Sequence, residues 1–385
     1  MQEVPRILIV TAAFGEGHNS AARNLALALD AAGVKTQVSD PCMLAVPRLT
    51  RWVNFCYRFV TVRLPYVWER IYRSTDRCDF SKQKSLAIRM IERKLAELMK
   101  DFKPDAIVST YPLYPYLLTW IFEKTGGRKP VFTVVTDSME INAAWLRTQS
   151  DHWLVTDAGT RHSMVEKGLP ASRIQDSGFP VHPDFARLQP VDRDDPCDVF
   201  RVLYFPTSSL TFLRRHGKAL LEASPSVRLT VILGKNVRHL YPKAREIQLA
   251  YPGRVRLIGW TRRVPALLNR HHLVVGKAGG ATVHEAIAAR CPMLIHHLVP
   301  GQEVGNLRLL ETIGGGQLAS SPDALNQAIK HLLEQRARRW RNMKDALVRH
   351  NQNSGALNAA QFILANLDEI QHPIHLKTPA HSLCP

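Results

Sequence analysis

The chain is short of the features that would mark an exported or membrane-spanning protein. Its six cysteines, Cys42, Cys56, Cys78, Cys197, Cys291 and Cys384, form no CxxC pair, no regular framework and no zinc-like spacing with histidine. Reduced thiols in a cytoplasmic protein are expected. The opening MQEVPRILIVTAAFGEGH lacks the basic start, apolar stretch and small-residue cleavage site of a signal peptide. No window approaches the roughly 18–20 uninterrupted apolar residues of a spanning helix, so membrane contact is expected to be peripheral. No period of about 20–50 residues marks a solenoid. Acid is scarce as well: 33 Asp and Glu face 51 Lys and Arg, a net charge of +18. Such a surplus calls for an anionic partner, whether membrane, nucleic acid or phosphorylated substrate.

What is present is ample core material. At 385 residues, 45% of them hydrophobic, the chain exceeds what one core usually fills, and two domains are expected. Short aliphatic runs at 7–10, 106–109, 132–136, 202–205, 230–233, 273–275 and 293–296 read as strands buried on both faces. Helical periodicity at 21–31, 88–99, 283–290, 326–334 and 355–367 alternates with them, which implies parallel sheets covered by helices. The polar stretch LQPVDRDDPCD at 188–198 predicts the hinge. The expected division is residues 1–187, residues 188–367, and a frayed tail at 368–385.

The first strand runs into TAAFGEGHNSAA, where Gly15 and Gly17 predict a tight turn and Asn19 or Ser20 a helix cap. His18 is expected at the tip of that turn, at the sheet edge that faces a cleft, with a ring able to accept a proton near neutral pH. The densest constellation is HHLVVGKAGGATVHEAIAARCPMLIHHLVPGQEVGN at 271–306. There Gly279 and Gly280 let a ligand approach the backbone, Thr282 can open a helix, and that helix start suits a diphosphate. Glu285, one turn in, can accept two hydrogen bonds from ribose hydroxyls. Gln302 and Glu303 follow on a loop suited to hexose hydroxyls, or cap the next helix.

These strings carry a resemblance. GKAGGATVHEA and PGQEVGN, with FGEGHNSAA near the start, VVTD at 134–137 and VRLIGW at 255–260, resemble the family of monogalactosyldiacylglycerol synthases and processive diacylglycerol glucosyltransferases. The motifs stand in the same order from Arg6 to about Ala365. The resemblance implies an α/β GT-B fold, two Rossmann-like domains facing across a cleft, and an inverting transfer from a UDP-sugar. It implies that Gly279, Gly280 and Thr282 meet the donor diphosphate, Glu285 the ribose, and Gln302 and Glu303 the sugar or its phosphates. Asn236 matches a donor-side position, His18 the histidine facing the reacting centre, and Asp137 an acidic strand-end residue. In the family a glycine-rich turn follows the first strand of the second domain, where this chain has Pro206, Thr207, Ser208 and Ser209. A histidine usually precedes the tryptophan matching Trp145, where this chain has Asn142, Ala143 and Ala144.

Between residues 48 and 77 arginines alternate with aromatics: RLTRWVNFCYRFVTVRLPYVWERIYRSTDR. Pro65 predicts two short helices, with Arg70, Arg73 and Arg77 on one face and Trp68, Ile71 and Tyr72 on another. This mixture fits an anionic membrane interface, and no nucleic-acid module accompanies it. Gly17, Arg51, Trp52, Arg58, Trp68, Arg70 and Trp145 are the candidates for the acceptor or membrane side.

The expected function is transfer of a hexose from a UDP-sugar to a membrane lipid, diacylglycerol first among the acceptors. His18 would be the base, with Asp137 assisting. The UDP-sugar is a co-substrate, with no cofactor and no essential metal ion expected, and the protein would sit peripherally on the inner face of the cell membrane. The alternatives are a polyprenyl-linked cell-wall precursor as acceptor, or a non-catalytic binder of membrane or nucleic acid. The donor hexose and the oligomeric state are left open.

Overall fold

The computed structural model describes residues 4–75, 85–188, 195–301 and 303–371. The first half begins with β1 (Arg6–Val10), α1 (Glu16–Ala31) and β2 (Lys35–Ser39). Four helices follow: α2 (Pro41–Ala45), α3 (Pro47–Arg63), α4 (Pro65–Thr75) and α5 (Leu86–Phe102). The rest alternates as β3 (Ala106–Ser109), α6 (Leu113–Thr125), β4 (Val131–Val134), α7 (Ala143–Leu146), β5 (His152–Val155), α8 (Ala158–Glu166), β6 (Ile174–Asp176) and α9 (Asp184–Arg187). The strands form one parallel sheet in the order β2-β1-β3-β4-β5-β6. Its central strands β1, β3 and β4 are almost wholly aliphatic and buried, as a sheet covered on both faces requires.

The second half repeats the plan with β7 (Phe200–Tyr204), α10 (Leu210–Glu222), β8 (Val227–Ile232), α11 (Val237–Ala250), β9 (Val255–Ile258) and α12 (Val264–Leu268). It continues through β10 (Leu273–Lys277), α13 (Gly280–Ala288), β11 (Met293–His297), α14 (Val304–Ile313), β12 (Gly316–Leu318), α15 (Pro322–His350) and α16 (Gly355–Gln371). Here the parallel order is β12-β11-β10-β7-β8-β9, that of a dinucleotide-binding sheet. All seven expected strands are present, and Pro65 opens α4 as expected.

The division between the halves differs from the expected one. Phe179, Val181 and Phe185 leave the first sheet early and pack into the core of the second, against Val283, Ile287 and Ile295. The last helix crosses the other way. Ala356, Ala359, Ala360 and Ile363 of α16 pack with Leu25, Val108 and Phe132, so residues 355–367 join the first domain, not the second. The small residues on this face of α16 fit closely against α1, a fit that any sheet-covering helix with such a face could make. Two glycines mark the double crossing: a side chain on Gly355 would lie 2.0 Å from the Phe179 carbonyl, and one on Gly178 3.3 Å from Gly355 Cα. Of the expected hinge, residues 189–194 lie outside the described residues.

Candidate active site

In each sheet the chain reverses direction beside its first strand, and ligands bind open α/β sheets at such switch points. In the first domain the switch lies between β1 and β3. There α1 starts earlier than expected: Gly15, with φ at 115°, is its N-cap, so Gly17 and His18 stand in its first turn. Asn19 does not cap the helix; its side-chain oxygen accepts from the Thr11 hydroxyl at 3.0 Å. His18 Nδ1 lies 2.8 Å from the Thr110 carbonyl beyond β3 and 2.9 Å from Thr136 Oγ1 beyond β4. A carbonyl can only accept, so Nδ1 carries the proton and Nε2 keeps the lone pair of a base. Burial lowers the ring to about 4, against the raising effect of the Thr110 carbonyl, and His18 is neutral at physiological pH.

Asp137 does not hold His18 among the described contacts. Its carboxylate accepts from the Trp145 indole at 2.8 Å, and the Trp145 ring centre stands 6.0 Å from that of His18. Burial raises the Asp137 carboxyl to about 6, with the indole N–H pulling it back. Trp145 is buried beside His18, so of its expected acceptor or membrane placement a membrane-facing surface is ruled out. It shapes the site from within, as the partner of Asp137.

In the second domain the switch lies between β7 and β10. Gly279 is the N-cap of α13, and its carbonyl takes the first intrahelical bond, from Val283 at 3.0 Å. The amides of Gly280, Ala281 and Thr282 precede that bond and point their partial positive charge out of the helix start. Thr282 is therefore inside the first turn rather than its cap. The glycines have a further reason to be small: a side chain on Gly280 would lie 3.0 Å from the Thr136 carbonyl, and one on Gly279 3.2 Å from Lys277 Cε. Thr136 thus touches His18 through its hydroxyl and Gly280 through its carbonyl, joining the two switch points in one place.

Glu285 is half-buried, and its carboxylate makes no hydrogen bond among the described residues. Burial raises its carboxyl to about 7, with Arg23 on α1 acting in the opposite sense. Such a carboxylate is a vacant acceptor for hydroxyls. Glu303 is not vacant. It is 3% exposed, its Oε1 meets Lys277 Nζ at 3.0 Å, and its Oε2 accepts from the Val299 amide at 3.0 Å. It holds the loop and the lysine rather than presenting itself to a sugar. Gln302 lies outside the described residues.

Lys277 joins the site without having been among the expected residues. A register shift between β10 and β11 at Gly276 and Lys277 re-aims its side chain, which folds over the Gly279 turn beside the α13 start. The available signal was a lysine ending a buried strand just before a glycine pair. Thr207 and Ser209, in place of a glycine-rich turn, spend their hydroxyls on backbone amides: Ser209 caps α10 through Phe212, and Thr207 accepts from Ser209. Asn236 is exposed at the start of α11, beside Lys235, whose Nζ reaches Glu16 of the first domain at 3.1 Å.

The basic aromatic segment forms the α3–α4 pair. Arg51, Trp52, Phe55, Phe59, Tyr66, Arg70 and Ile71 are exposed, Phe55 by 68%. Trp68 corrects the expectation: half-buried, it packs edge-on against Tyr57 at 5.0 Å and beside Tyr72 at 6.4 Å, inside the helix pair. Arg77 and the side chains of Arg58 and Arg73 lie outside the described residues. A side chain on Gly301 would meet the Tyr72 ring at 2.6 Å, so α4 rests on the loop that carries Glu303.

Two parallel sheets of this order, facing each other through their switch points, define the GT-B class. The model for monogalactosyldiacylglycerol (MGDG) synthase matches residues 18–181. A processive diacylglycerol beta-glucosyltransferase of Bacillus licheniformis is 24% identical over 336 residues, covering 85% of this chain and 86% of the relative. One from Bacillus cytotoxicus is 23% identical, covering 98% and 97%. Among solved structures, Acinetobacter baumannii MurG superposes with a TM-score of 0.61 at 15% identity, covering 94% of this chain and all of that one. The resemblance drawn from the motifs is borne out along the whole chain.

Proposed function

We propose that this protein is a glycosyltransferase that moves a hexose from a UDP-sugar to the hydroxyl of a membrane lipid, diacylglycerol, inverting the anomeric centre. The observation that carries the reading is the meeting at Thr136 of a neutral histidine and the free amides of a helix start. In one displacement the acceptor oxygen bonds to the anomeric carbon, its proton passes to His18 Nε2, and the bond to the diphosphate oxygen breaks. The departing charge falls on the α13 amides and Lys277, and Glu285 accepts from the ribose. A diphosphate anion beside His18 raises its basicity as the proton arrives. The amides and the lysine do the work of a metal ion at the diphosphate, so chelator-treated enzyme is expected to stay active. Diacylglycerol as acceptor is supported by the named activity of the relatives, which match nearly the full chain.

The exposed face of α3 and α4 supports a peripheral seat on an anionic membrane, on its cytoplasmic side where UDP-sugars are made, and no nucleic-acid partner enters. No described helix is long and apolar enough to cross a membrane. The test is to incubate purified protein with vesicles containing diacylglycerol and a panel of UDP-hexoses, then weigh the lipid products. A glycosyl-diacylglycerol that disappears in His18→Ala is expected. A product formed only on a polyprenyl-linked acceptor, or turnover indifferent to His18→Ala, overturns the reading.

A further inference from the structure

The edge of the second sheet remote from the cleft concentrates positive charge that the transfer reaction does not use. Arg201, Arg228 and Arg256 are each the second residue of their strands, β7, β8 and β9. Arg201 stands directly opposite Arg228, and Arg256 opposite Thr230, so with side chains alternating along a strand all three lie on one sheet face. The loop between α12 and β10 adds Arg270 and His271 across from this face, enclosing a cavity of about 460 Å³. Among the described residues no carboxylate lines it.

The residues divide into structural and available cations. Arg254, also at the rim, spends its guanidinium on the carbonyls of Leu221, Ser224 and Val227. His271 is fixed between the Leu267 carbonyl at 2.6 Å and Thr230 Oγ1 at 2.9 Å. Burial lowers its ring to about 4 against the raising effect of the Leu267 carbonyl, and Arg201 and Arg256 add to the lowering. The side chains of Arg256 and Arg270 are exposed, and their guanidinium groups make no hydrogen bond or ion pair among the described residues. Arg228 likewise turns its guanidinium to the carbonyls of Pro225 and Val227, which leaves Arg256 and Arg270 as the open guanidinium forks of the cavity among the described residues.

We propose that this cavity is a second anion site, binding a phosphate-bearing ligand chiefly through Arg256 and Arg270. Guanidinium groups match phosphate oxygens two at a time. The cavity falls within the size range of small-molecule sites, about 300–1,000 Å³, so it admits a phosphomonoester or short polyphosphate rather than a lone ion. It is distinct from the diphosphate cradle: its arginines stand at the starts of the strands, the cradle beyond the end of β10, five residues or about 16 Å along the sheet.

The test titrates sodium tripolyphosphate into the full chain and into R256Q/R270Q by calorimetry. Any contribution of the donor cradle is common to both. The double variant is expected to lose affinity by about tenfold or more, the loss of two charge-assisted contacts. Melting temperature gives a second reading: phosphate should raise it above sodium chloride of matched ionic strength in the native chain, while in the variant the two salts should coincide. Co-sedimentation with phosphatidylcholine vesicles, with and without phosphatidylglycerol, separates the sources. Vesicle binding unchanged by the substitutions assigns the site to a soluble phosphate, and a parallel loss assigns it to a lipid headgroup. Equal tripolyphosphate affinity in the two proteins, or the same phosphate effect on melting, overturns the proposal.

Discussion

The two halves place their crevices at equivalent topological addresses and furnish them differently. Beside β1 the first sheet offers titratable side chains moved from their ordinary values, His18 down to about 4 and Asp137 up to about 6. Beside β7 the second offers backbone amides, a lysine locked to Glu303, and the Glu285 carboxylate, without a partner among the described residues. Proton transfer needs groups whose charge can change, whereas holding a diphosphate needs charge that stays fixed while the ligand leaves. On the proposed reading, the difference gives proton transfer to the first half and grip on the donor to the second.

Removing one function from each half should break the comparison in distinguishable ways. The largest effect is expected from His18→Ala, a fall in kcat of about 10²–10⁴ from loss of the general base, with UDP affinity in calorimetry unaltered. A matching fall in UDP affinity would erase the division of labour. Glu285→Gln should weaken UDP by about 10- to 100-fold, the range of a hydrogen-bonded charged group, while leaving a saturated kcat largely intact. Because hydroxyl donors favour the ionised carboxylate, UDP affinity of the native chain should drop as pH falls through about 7, and the glutamine variant should lose that step. The stability sign is opposite. With the folded carboxyl raised from 4.5 to about 7, the native state holds a proton that the unfolded chain has released between those values. Its stabilising contribution is complete below 4.5 and declines as pH rises through 7, a slope that Glu285→Gln should remove from melting curves.

Gly305→Ala comes next and tests whether the halves must touch. Its new methyl group would sit 1.8 Å from the Ser138 carbonyl, backbone against backbone, so no rotamer relieves it. The expected cost is about 1–3 kcal/mol, taken by opening the interface. Hydrogen exchange should then rise at residues 136–140 and at the start of α14, while the two sheets stay protected. Exchange identical to the native chain would show that the contact does not hold the domains together.

Much of this was legible in the sequence, for a physical reason. Strands buried on both faces are unbroken aliphatic runs, so β1, β3, β7 and β10 stand out, as does the glycine pair that turns β10 into α13. Edge strands are less visible: β2 reads KTQVS, half-exposed and mostly polar, and β6 and β12 are three residues each. The place of α16 was hidden because an apolar face declares that it is buried, not against which sheet. Lys277 was hidden because its direction depends on a local register shift, and Glu303 because a carboxylate in a polar loop reads alike whether it meets a sugar or an internal lysine. His18 and Glu285 could be named, but the Thr110 and Thr136 contacts that fix the ring link residues about 90 and 120 positions apart.

The smallest expected effect is at the surface of the first half and separates two kinds of aromatic within one helix pair. Phe55 is exposed on α3 amid Arg48 and Arg51, whereas Trp68 on α4 is wedged between Tyr57 and Tyr72. Phe55→Ser removes apolar surface that only a membrane would bury, worth about 1–2 kcal/mol, and should weaken partition onto anionic vesicles by about tenfold with melting unchanged. Trp68→Ser should instead lower the melting temperature, because it empties the packing between the helices. Tyr72 lies on Gly301, so loosening α4 should also raise KM for the UDP-sugar, an effect Phe55→Ser should lack. If both substitutions change vesicle binding alone, the helix pair is a surface appendage; if Trp68→Ser reaches the donor, the membrane-facing segment is part of the wall that holds the second half's loop in place.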